Sequence, residues 1–287
     1  GAQVGRLVGY EWWCGRKKFH GNEPWAGVLN AQKTNLNKAG VRGFVVDAGW
    51  ANGTEVAGAD IAGGIASGRS ALTGTSVIAV QRGASASVRV TATSGATLTL
   101  EPNMLNLAQD DLFVVASCSE GHLVRVSGVS DDETVIELFE SLDADYASAQ
   151  SPGFVMRFLS TVYFVADTGR VNSAGNAVYA LYRQRDSSTN ASPGFVVEEL
   201  VEGVENLQIL YGQRLGVNNI RYVPAGTPGL IMEEVVSVRV GILVASAQNV
   251  QQDDDNLSYI LPGITVGPGG DTGVNHLSDR RIRRTFV

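Results

Sequence analysis

The chain has 287 residues, 44% of them hydrophobic and 18% charged, with a formal net charge of −7. That length and composition describe a folded protein with a real core and exclude a disordered one, and the acidic balance argues against general affinity for nucleic acid or an anionic membrane surface. With no secretory signal and no run of 18 or more apolar residues, the residues in hand read as a soluble chain.

The 34 glycines, set among Ser- and Thr-rich stretches between Val, Ile and Leu runs, favour a β-rich architecture with many turns over long helices. At the start, Val4, Leu7, Val8 and Glu11 keep helical spacing, although Gly5 and Gly9 weaken it, and predict the tail of a longer helix over residues 2–13. An opening inside a helix, without an initiator Met, is expected of an excised piece. Residues 15–75 are poor in pattern, with a strand expected at 44–47 and a surface loop at 58–74.

Regular β signals follow. Segments 76–81 and 86–91 flank an Arg82-Gly83 turn, and 97–100 comes after another glycine. Segments 112–117 and 122–128 predict a hairpin around Ser119-Glu120-Gly121, and 134–139 reads as a strand or a short helix. A second hairpin is expected from 155–165 and 177–183. Strands at 195–200, 207–211 and 235–244 complete the sheet, the last with Val236, Val238, Val240 and Ile242 alternating with Ser237, Arg239 and Gly241. Residues 250–278 return to loop character. No sharp domain boundary and no repeat is visible.

Chemistry-bearing residues are sparse. His20, His122 and His276 share no metal-ligand spacing, and no G-x-S-x-G turn supports a nucleophilic serine. Asp253, Asp254 and Asp255 could offer loop oxygens to Ca²⁺, but their spacing does not match an EF-hand loop, and a solvated acidic loop is the plainer reading. No cofactor is expected. Arg280–Arg284 reads as a solvated strand margin that pairs with local acids. Trp12, Trp13, Trp25 and Trp50 crowd into the first fifty residues, where they either cap the core or anchor a partner. Cys14 and Cys118 are the only cysteines, consistent with one bridge or with two buried thiols.

One stretch is far more specific. Val201-Glu202-Gly203-Val204-Glu205-Asn206-Leu207-Gln208-Ile209-Leu210-Tyr211-Gly212, the strand at 235–244, and Asp279-Arg280-Arg281-Ile282-Arg283-Arg284-Thr285-Phe286 follow one another in the order seen in PilW-type minor pilins of type IV pili. Asp110–Ser119, His122–Val126, Tyr163–Ala166, Ala180–Arg183, Gly5-Arg6-Leu7 and Cys14-Gly15 resemble further segments of that family. The resemblance implies an α+β, mainly β fold, a pilin-like single domain over residues 1–287 with the N-terminal helix tail (1–13) packed on antiparallel sheets. The main β region would span 76–245, and 246–287 would hold a loop and the C-terminal strand.

The implied function is assembly rather than catalysis: membership of a minor-pilin complex that primes the pilus and sits at its tip, supporting twitching motility, adhesion or DNA uptake. Partners would be other minor pilins, a tip adhesin and the major pilin. The full-length protein would be held in the bacterial inner membrane by one helix, its globular part in the periplasm, and would pass into the pilus fibre. That compartment favours a Cys14–Cys118 disulfide over free thiols. A J-type minor pseudopilin of type II secretion is the neighbouring alternative, and a β-rich adhesin or carbohydrate-binding module is the alternative from another class.

Overall fold

The structure is a computed structural model; it describes residues 19–20, 41–45, 69–102, 105–118, 121–186, 195–269 and 274–287. The regular elements among the described residues are strands, with one 3₁₀ turn at Met232–Glu234 and no α-helix. The α+β expectation is therefore corrected to an almost all-β fold, and residues 1–13, on which the helix was read, lie outside the described ones. Its β content follows from runs such as Val-Val-Ala and Val-Arg-Val-Thr, whose branched side chains pack well on a pleated surface and poorly in a helix.

Six strands close into a barrel. They are β4 (Val88–Ser94), β5 (Thr97–Leu100), β6 (Leu112–Ala116), β7 (Gly121–Val129), β8 (Val135–Leu138) and the first residues of β9 (Phe154–Val171). Each is antiparallel to its neighbours, in the cyclic order β4-β5-β8-β7-β6-β9, and β9 returns to β4 through Val88↔Val155 and Arg89↔Phe154. Alternate side chains point inward: Val90, Leu98, Leu100, Phe113, Val115, Val124, Val126, Ile136, Leu138 and Val155 form one buried core. With so few strands a barrel is just wide enough to be filled by its own side chains, so the interior is a core and not a channel. Leu105 and Leu107, from the β5–β6 connection, close one end, while Leu142, Ala144 and Tyr146, from the β8–β9 connection, close the other.

The rest is a two-sheet sandwich. Its first sheet runs β2 (Val41–Val45), β3 (Ser76–Gly83), the later part of β9, β10 (Ala177–Asp186) and β11 (Phe195–Glu202). The second runs β13 (Asn219–Pro224), β12 (Val204–Gly216), β14 (Val235–Ala245) and β17 (Arg283–Phe286). Between them Ile78, Val165, Val204, Leu207, Ile209 and Tyr211 are buried. A small hairpin, β15 (Tyr259–Leu261) with β16 (Ile264–Val266), covers the outer face of the second sheet by packing Leu261 and Val266 on Leu243. It can lie this close because position 241 is glycine: a Cβ there would fall 2.2 Å from Pro262 Cδ. Finally, β1 (Phe19–His20) runs parallel to the start of β7.

Several strand expectations meet the structure closely, including the β6–β7 and β9–β10 hairpins. The stretch at 134–139 resolves as strand β8. Segments 76–81 and 86–91 do not pair with each other. Instead β3 lies on β9, from Ile78↔Tyr163 to Gly83↔Phe158, and β4 continues along the same edge of that strand with Val88↔Val155 and Arg89↔Phe154, across from β6. A partner 18 residues long takes both segments end to end along one edge, which a short local turn between them cannot match.

Candidate functional site

The charged residues of the two most specific motifs meet in one buried cluster. Glu202-Gly203 carries the chain from β11 in the first sheet to β12 in the second. Gly203 takes φ +85, and a Cβ there would sit 2.4 Å from the Ala245 carbonyl oxygen, so the crossing needs glycine. Its backbone is pinned on both sides: the N–H donates to Tyr179 O at 2.8 Å, and the C=O accepts from Ala245 N at 2.8 Å. Two residues on, Glu205 is turned inward at the base of β12 and is 1% exposed.

Glu205 meets the arginines of the closing run. Arg283 donates Nε to Glu205 Oε2 at 2.6 Å and Nη2 to Oε1 at 3.1 Å, the two-pronged geometry a guanidinium is shaped for. Its Nη2 also reaches Asp279 Oδ2 at 2.6 Å, and its Nη1 reaches Asp255 Oδ2 at 3.0 Å. Arg281 donates Nε to Asp279 Oδ2 at 2.7 Å, pairs with Glu205 Oε1 at 3.0 Å, and reaches back to the Ala177 carbonyl of β10 at 3.2 Å. Asp255 further accepts from the Tyr259 hydroxyl at 2.8 Å, and His276, fully buried beside Tyr259, faces the carbonyls of Val274 and Leu257. Three carboxylates and two guanidiniums thus tie β12, β17, the 250–258 loop and β10 together.

The electrostatics agree with the geometry. Burial alone would push the Asp279 carboxyl up, but hydrogen bonds from Arg281 and Arg283, with the charge of Arg283, hold it well below the usual carboxylate range. Burial works against the charge on Arg283, and its bonds to Glu205 and Asp279 overcome it and raise its pKa. Burial, followed by the bond to Asp255, pushes the Tyr259 phenol up. A cluster so closed to solvent holds elements together; it offers no open position to a substrate.

Arg280–Arg284 is therefore a margin only in part. Arg281 and Arg283 point inward and are buried, whereas Arg280 is exposed on Asp254 at 3.0 Å and Arg284 is exposed. The same pairing accounts for the acidic loop: Asp254 and Asp255 are engaged by arginines, and no group of residues suited to a metal ion occurs among the described residues. Sequence reasoning places Glu205, Asp279, Arg281 and Arg283 in the two most specific motifs but assigns none of them a place in a buried site. Their signal was the spacing Asp279-x-Arg281-x-Arg283, which puts all three side chains on one face of an extended chain.

The remaining candidates lie elsewhere. His122 is buried at the barrel end closed by Tyr146. Its Nδ1 bonds the Tyr146 hydroxyl, and its Nε2 lies 2.9 Å from Asp143 Oδ1, in the same connection. The imidazole so placed fastens the plug to β7. Cys118 follows β6 at this same end and is exposed; among the described residues no cysteine is free. Cys14, Trp12, Trp13, Trp25 and Trp50 lie outside the described residues.

A family model, PilW, described as Type IV Pilus-assembly protein W, matches residues 162–287. That span holds the crossing glycine and the whole buried cluster. It supports the PilW family for this chain and, with it, a part in type IV pilus assembly. No curated protein and no solved structure gives a match.

Proposed function

We propose that this chain is the globular part of a PilW-type minor pilin, a non-enzymatic subunit that joins other minor pilins to prime a type IV pilus and remains at its tip. The observation that carries the reading is the family match over 162–287, whose two most specific motifs converge in space on one buried cluster. Such a cluster fixes how two sheets sit against each other, and a subunit that recognises neighbours by shape needs a fixed surface. On this reading the partners are other minor pilins, a tip adhesin and the major pilin, and the globular part resides in the periplasm below an inner-membrane helix. Cys14 and Cys118 would then be joined in an oxidising compartment.

The coding sequence upstream of Gly1 tests the class. A short basic leader ending in glycine, followed by about 20 apolar residues, is expected of a pilin; a cleavable secretory signal or another folded domain there would refute it. Copurification separates the two machines. Recovery with pilus subunits supports the proposal, and recovery with type II secretion subunits replaces it by the pseudopilin reading.

A further inference from the structure

Strands β3 and β9 are neighbours in the sandwich, paired antiparallel up to Gly83↔Phe158, and Ala84 N donates to Arg157 O at 2.8 Å just beyond. The chain leaves this hairpin at residue 84 and re-enters it at 157. Everything between is the barrel. Its core is drawn wholly from this interval, from Val90 to Val155, while the sandwich core takes no residue from it. The family match begins at residue 162, after the barrel has closed. Composition changes over the same interval: residues 84–157 hold eleven Asp and Glu against three Arg and no Lys, so the barrel accounts for the negative charge of the whole chain.

We infer that residues 84–157 are an inserted, self-contained folding unit, carried on a hairpin of the sandwich and able to unfold without it. The six strands close on one another, so the barrel core and nearly all of its ladder come from within the interval; β1, paired with Gly121 and His122, and Phe158, clustered with Val114, Ala116, Leu123 and Met156, are contacts from outside it. The neck is two adjacent strands already held in register by the sandwich, so the insertion costs the sandwich little more than the closure of one loop. This inference rests on the strand pairing and the separate cores and stands whether or not the pilus reading holds.

Scanning calorimetry of the intact, oxidised chain tests it, with hydrogen exchange of Val124 and Val126 set against Ile209 and Tyr211 to assign the transitions. Two transitions are expected. Leu98→Ala, in the barrel core, lowers one by roughly 10 °C or more and leaves the other in place; Ile209→Ala, in the sandwich core, does the reverse. Should Leu98→Ala abolish the barrel altogether, a sandwich transition at its original temperature still supports the inference. A transition that stays single in both variants, or exchange that collapses in both regions together, overturns it.

Discussion

At the scale of single residues, the strongest claim concerns Arg283, which faces three carboxylates at once. Its guanidinium is almost fully enclosed, so removing it leaves Glu205, Asp279 and Asp255 short of a counter-charge in a medium that solvates them badly. Arg283→Met is expected to cost about 3–5 kcal/mol in denaturant unfolding, and Arg283→Lys to recover only part of this, because a point charge cannot make the two-pronged contact. Asp279 gives the cluster a dependence on pH. Its carboxyl is depressed in the folded state, so the stability it contributes is complete above the ordinary aspartate pKa of about 3.9 and is lost progressively as pH falls towards the lower folded value. Thermal midpoints measured from pH 6 down to pH 2 are expected to fall for the parent chain. Asp279→Asn should start lower, fall less steeply and approach the parent curve at the acid end; parallel curves would show that Asp279 is not the group responsible.

Among the elements, the second sheet and its covering hairpin make a sharper test than any strand alone. Gly241→Ala places a methyl where Pro262 stands, so β15–β16 must lift and uncover Leu243. A loss of roughly 1–3 kcal/mol is expected, with faster amide exchange confined to residues 259–266. Much of this layer was legible beforehand, and the reason is periodicity. The alternation of Val236, Val238, Val240 and Ile242 locates the strand but not its burial: Val240 is exposed, while Gly241, Leu243 and Ala245 on the other face are buried, the first two under the β15–β16 hairpin. Strands β6–β7 and β9–β10 are joined by connections short enough to imply pairing. What could not be read was partnership at long range. Nothing in the residues of β6 says that Val115 will lie opposite Val155, or that Thr97 will lie opposite Glu137, and those two pairings are what close the barrel. The buried cluster was hidden for a related reason. Charged residues read as surface unless their counter-charges are known, and Glu205 lies 78 positions from Arg283.

For the molecule as a whole, the proposed Cys14–Cys118 bridge carries its own prediction. It would close a loop of about a hundred residues and stabilise the oxidised protein by roughly 3–5 kcal/mol in the chain-entropy account. Peptide mapping without reductant should recover the two cysteines in one linked fragment; finding both alkylated before reduction would sink it. On the proposed pilus role, load passed along a fibre would meet strand β9. Strand β9 is continuous for 18 residues, a span of about 59 Å, and it belongs to the barrel at its start and to the sandwich at its end. A pull that separates the two halves therefore runs along this strand, and the ladders to β3 and β10 meet the force in shear, with many hydrogen bonds strained together instead of one after another. The halves are joined twice, by the unbroken backbone of β9 and by residues 84–87 between β3 and β4, and of the two only the latter leaves the strand ladder.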